Sequence, residues 1–162
     1  MKRSVVLYAI AVGALFSTIV VLTNVVFPTP NESDDEYAAW YLVLYAVIFL
    51  LFAIGGMIAS ERANPLRTGV IGGAATALII LGMTFATFFV IDNVFLDIVS
   101  QQIDKINAFQ QQTTYTNMRD FINTGLVAGS LLALTMGAIL GGLLGALGSV
   151  ARARFGRVSP VT

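Results

Sequence analysis

The sequence contains no cysteine and no histidine among its 162 residues. Without cysteine there is no disulfide, no thiolate nucleophile and no cysteine-held metal. Without histidine the commonest general base and the commonest metal ligand are gone, and neither a Ser–His nor a Cys–His nucleophilic pair can be built. Charge is scarce as well: only 11% of residues are Asp, Glu, Lys or Arg, against about 25% in soluble domains. That excludes an ordinary soluble globule and a disordered chain. No Gly-rich phosphate loop is present. Three arginines in a short tail suit a membrane surface better than nucleic acid, so no nucleic-acid partner is expected.

What the sequence has instead is apolar length. Hydrophobic residues make up 57% and the mean hydropathy is +0.83. Four stretches without charge, 5–27, 37–60, 68–91 and 121–150, are each long enough to cross a hydrocarbon layer of roughly 30 Å as a helix. Lipid offers backbone groups no partners, so helices are the expected spans. The runs are continuously apolar and not alternating, which excludes a barrel. The expected fold is all-α: a four-transmembrane-helix bundle in a single membrane domain, 1–162. An amphipathic outer segment, 92–120, separates helices three and four, and a basic tail, 151–162, closes the chain. Met1-Lys2-Arg3 before an apolar run resembles the start of a signal peptide, but the run is too long for one and reads as a retained helix.

The charges set an orientation. If every span crosses, Lys2, Arg3, Arg62, Arg67, Arg152, Arg154 and Arg157 fall on one side, leaving Lys105 and Arg119 on the other. Lys and Arg concentrate on the cytoplasmic side. Both termini are therefore expected in the cytoplasm and the protein in the plasma (inner) membrane, crossing it several times. Eight of the nine acids lie on the outer side. Tyr37, Trp40, Tyr41, Tyr115 and Phe121 fall at the outer interface, a zone that suits amphipathic rings.

The first outer loop carries Pro28 and Pro30, which end the first helix, and an acidic run at 32–36 beside the N-terminus of the second, with Ser33 as its cap. In the inner loop Asn64-Pro65 marks a break and makes spans two and three antiparallel neighbours. Arg62 and Arg67 there suit anionic headgroups, although orientation alone accounts for them. In the outer segment Leu96, Val99, Ile103 and Ile106 recur at helical spacing, and Phe95 and Phe109 widen the stripe. No breaker interrupts 68–112. The third span is expected to run out of the membrane as one long helix, with a hinge at 110–114. Its apolar face suits protein contact, within the chain or with another, better than lipid.

The strongest local pattern is a glycine-zipper row in the fourth span: Gly125, Gly129, Ala133, Gly137, Gly141 and Gly145. Residues four apart stack on a helix, and small residues let helices approach closely in lipid. Gly69, Gly73 and Ala77 answer in span three, and Gly56 in span two. Packing against spans of its own chain is the first expectation for this groove; a homo-oligomer interface and the wall of a conduit are the others.

Polar side chains within the spans are scattered hydroxyls and amides, which most often bond their own backbone; Asn24 is the costliest to bury and is expected to bond locally or to a neighbouring helix. Asp92, Asp97 and Asp104 do not share one helical face, so they make a poor metal site. No cofactor, metal or catalytic residue is expected.

The stretch from Arg67-Thr68-Gly69 through Asp92-Asn93-Val94-Phe95-Leu96 to Arg152-Ala153-Arg154 resembles, in layout, a family of small bacterial inner-membrane proteins defined as a domain of unknown function. These have two spans, a short cytoplasmic turn, a third span running into an amphipathic outer segment, and a Gly-rich fourth span with a basic tail. The resemblance implies a bacterial plasma membrane and no particular activity. Together the residues point to a non-catalytic membrane protein of structural or interaction type, with the bilayer and a second copy or another membrane protein as partners. The alternative is a small oligomeric channel or transporter whose fourth span lines the path.

Overall fold

The computed structural model describes residues 2–29 and 38–155. All regular structure among them is helical: α1 Arg3–Val21, α2 Ala38–Ala59, α3 Pro65–Val94, α4 Leu96–Val99, α5 Ile103–Gln111 and α6 Met118–Phe155. Four of these segments are long and apolar enough to cross a membrane: Arg3–Val26, Ala39–Ala59, Pro65–Val94 and Met118–Phe155. The acidic run at 32–36, the Ser33 cap, Tyr37 and most of the basic tail lie outside the described residues.

Local chemistry sets the helix ends. The last turns of the first span widen into a π-helical segment, Leu22–Val26, where Thr23 Oγ1 donates to the Ile19 carbonyl and Asn24 Nδ2 to that of Val20. Pro28, two residues further on, cannot continue a helix. At the other end of the bundle Pro65 occupies the first turn of α3, where its missing N–H is not needed. The Thr68 hydroxyl donates to the Asn64 carbonyl and accepts from the Glu61 amide, closing the turn. At the start of α6, Asn117 caps the helix: its Oδ1 accepts from the Asp120 amide while its Nδ2 donates to the Asp120 carboxylate.

α3 is the central helix. It packs against α6 most extensively and against α1 and α2 on other faces. Mid-bundle, Phe16 of α1, Phe52 of α2 and Ala77 and Ile80 of α3 form one buried cluster. Toward the α3–α4 end, Ile91, Val99 and Ile122 form a second. Most other large apolar side chains, Leu42, Leu131, Leu143 and Leu147 among them, are exposed, a surface that water would reject and lipid accepts.

One expectation fails. α3 does not continue unbroken to 112: it ends at Val94, Phe95 leaves helical geometry, and two short helices follow. No proline or glycine causes the break. Val99 is fully buried against Ile91 and Ile122, a position a straight extension of α3 would carry away from the bundle. Burying Val99, packing Leu96 beside it, setting Phe109 against Phe121 and pairing Lys105 with Asp92 together offset the few helical hydrogen bonds lost at the bend, each worth about 1 kcal/mol.

Candidate functional site: the glycine seam and the polar cap

The helix-packing row does not act as one surface. At its basic end it closes a seam within the chain. A β-carbon on Gly73 would fall on the Gly141 carbonyl oxygen, one on Gly141 would lie 2.7 Å from the Ala77 β-carbon, and one on Gly56 would meet the backbone of Gly145. Gly69 is closed in the same way by Ser149, and Gly148 by the Ala53 carbonyl. Gly137 sits under the Leu81 side chain, and Ala133 is half-buried. Gly125 and Gly129, by contrast, are exposed with nothing within 4 Å of a β-carbon. The reason is geometric. At 3.6 residues per turn each step of four advances about 40° around the helix, so the five steps from Gly145 to Gly125 turn the row by roughly 200°. The row leaves the α3 seam and emerges on another face.

α2 diverges over the same half of the bundle. Every residue from 39 to 47 is exposed, Trp40 at 71% and Leu42 at 72%. Further along, Tyr8 of α1 donates its hydroxyl to the Leu51 carbonyl, and from there α2 joins the bundle.

The outer contact face is folded back as a cap. Val99 is buried, Leu96 packs beside it, and Ile103 and Ile106 are half-buried. Phe109 meets Phe121 at 5.6 Å between ring centroids, and Tyr115 meets the same ring edge-on at 5.9 Å. Phe95 stands at the bend and stays more than one-third exposed. Gln112 sits where a hinge was expected and holds the turn rigidly. Its Oε1 accepts from the amides of Thr114 and Tyr115 at 2.7 Å each, and its Nε2 donates to the carbonyls of Phe109 and Tyr115.

Polar pairs that sequence reasoning missed fasten this cap. Asp92 lies in the last turn of α3 and is only 4% exposed. Lys105 of α5 donates to its carboxylate at 3.1 Å. Asn93 and Asn123 exchange reciprocal amide hydrogen bonds of 2.9 and 3.1 Å between α3 and α6. Gln102 donates to Asn24 Oδ1 at 3.3 Å, tying the cap to the π-helical turn. The thirteen-residue separation of Asp92 and Lys105 carries no helical periodicity, and the pair becomes visible only once the chain is known to bend at Phe95. Asp97 is exposed beyond that bend, away from the buried Asp92. Among the described residues no three acidic side chains gather as metal ligands would.

No family model matches this chain, and no curated protein or solved structure is significantly similar to it.

Proposed function

We propose that this chain is a non-catalytic, multi-pass membrane protein that works by lateral association with a second membrane helix pair, with its basic end in the cytoplasm. The observation that carries the reading is the split of the α6 row. Glycine in a helix costs about 1 kcal/mol relative to alanine. At Gly73, Gly141 and Gly145 backbone contact within the chain offsets that cost; at Gly125 and Gly129 nothing among the described residues does. Small residues four apart suit close approach by another helix in lipid, and the exposed 39–47 stretch of α2 offers an apolar, aromatic surface of about two turns on the same half of the molecule. On this reading the cap keeps the bundle's acidic end closed, and the resemblance in layout to small bacterial inner-membrane proteins favours a bacterial plasma membrane.

The native absence of cysteine makes the test clean. Gly129→Cys and Leu147→Cys, both at exposed α6 positions, are oxidised in native membranes. Association predicts a cross-linked product for Gly129→Cys and none for Leu147→Cys. A monomer from both variants, with only lipid attached after gentle extraction, rejects the reading.

A further inference from the structure

The basic end of the bundle holds a cavity of about 470 Å³ between the end of α2 and the start of α3, lined by Lys2, Ala59, Glu61, Asn64, Arg67, Thr68, Ile71 and Gly72. We infer that this cavity binds a phosphate-bearing anion, with Arg67 and Lys2 as its cationic ligands and the chemistry of a phospholipid headgroup.

Charge comes first. Among the described residues this end carries Lys2, Arg3, Arg62, Arg67, Arg152 and Arg154 against the single carboxylate of Glu61. Lys2 is already positioned: its ammonium donates to the Ser60 carbonyl at 2.9 Å and stands 3.8 Å from Glu61, which leaves donor capacity toward the cavity. Arg67 is exposed and makes no hydrogen bond or ion pair among the described residues, so its whole guanidinium fork is available. A planar fork matched to two phosphate oxygens is the strongest form of this contact.

Shape and position come next. The turn behind the cavity is held by Thr68, which accepts from the Glu61 amide at 3.0 Å and donates to the Asn64 carbonyl at 2.9 Å, so the wall carrying Arg67 is preorganised. The other wall is apolar. Ala59, Ile71 and Gly72 extend it along α2 and α3 into the spans. A cationic mouth above an apolar wall, at the end of helices long enough to cross a bilayer, fits a phosphate that carries acyl chains better than a free one. Glu61 is the one opposing group, and it makes the inference directional: removing its charge should tighten binding.

Native mass spectrometry of the full chain in mild detergent tests this, with phosphatidylglycerol, phosphatidylcholine and inorganic phosphate as separate probes. Arg67→Gln should weaken phosphatidylglycerol retention about tenfold, the loss of one charge-assisted contact. Glu61→Gln should strengthen it severalfold. Arg62→Gln removes the same charge from the same loop without lining the cavity, and should leave retention unchanged. Competition by millimolar phosphate with no preference for phosphatidylglycerol would assign the anion as free phosphate. Equal retention of phosphatidylcholine with no response to phosphate, or an equal loss in Arg62→Gln and Arg67→Gln, overturns the inference. Arg67 makes no hydrogen bond or ion pair among the described residues, so its variant is expected to fold; thermal melting of each variant checks this independently.

Discussion

Gly73 and Gly141 meet so closely that no β-carbon fits on Gly73: it would land on the Gly141 carbonyl oxygen. This contact sets the distance between α3 and α6, and the fold is arranged around it. It also makes one substitution behave oppositely at two places in one row.

Gly73→Ala is expected to destabilise by roughly 1–3 kcal/mol, because the obstructing atom is backbone and cannot rotate away. Gly129→Ala is expected to be neutral or to stabilise the isolated chain by up to about 1 kcal/mol, the helix-propensity difference alone. Thermal melts of the two variants in the same detergent decide this. Loss of stability in both would sink the account of the split row.

The Asp92–Lys105 pair should respond asymmetrically. Lys105→Met leaves a nearly buried carboxylate without its cation, and is expected to cost about 2–4 kcal/mol; Lys105 is partly exposed, so the lower end is favoured. Asp92→Asn keeps an acceptor for the ammonium and should cost less. The double variant should recover much of the Lys105→Met loss. Hydrogen exchange over 96–111 is the sharper readout, since the cap should open before the bundle does.

Asn93 and Asn123 are suited to a double-mutant cycle. Each alanine variant is expected to lose about 1 kcal/mol, and the coupling should be near 0.6 kcal/mol, the typical value for interhelical hydrogen bonds in membrane proteins. A coupling indistinguishable from zero means that the amides do not exchange hydrogen bonds in the membrane.

Orientation can be read by single cysteines. Asn107→Cys on α5 should react with an impermeant maleimide added outside intact cells, and Arg154→Cys only after lysis. The reverse pattern would overturn the assignment of the basic end to the cytoplasm.

How much of this was legible in the sequence varies by element, for physical reasons. Four apolar helices follow from four long, continuously apolar runs, because lipid leaves the backbone only helices or closed barrels and a barrel needs alternating segments. The α3–α6 seam is half legible: spacing of four marks Gly69, Gly73, Gly141 and Gly145 as packing residues. It does not say that the row rotates out of the seam before Gly129, because that depends on where the neighbouring helix crosses. Of the polar cap only Asn24 was legible, as a costly amide expected to bond locally or to a neighbour, and it does both. Asp92, Lys105, Asn93, Asn123 and Gln102 lie in three separate segments, and nothing local marks them as partners.

Sequence alone determined the helical class, the number of spans, the concentration of positive charge at one end and the small-residue surfaces, because lipid solvation and local steric propensity act residue by residue. Tertiary structure decided where α3 ends, which glycines are covered, that the amphipathic stripe turns back over Ile91 and Ile122, and which cations line a cavity. Those outcomes rest on contacts between residues far apart in the chain, where the packing of Val99, Leu96 and Phe109 and the Asp92–Lys105 pair together overrule the local preference for a continuous helix.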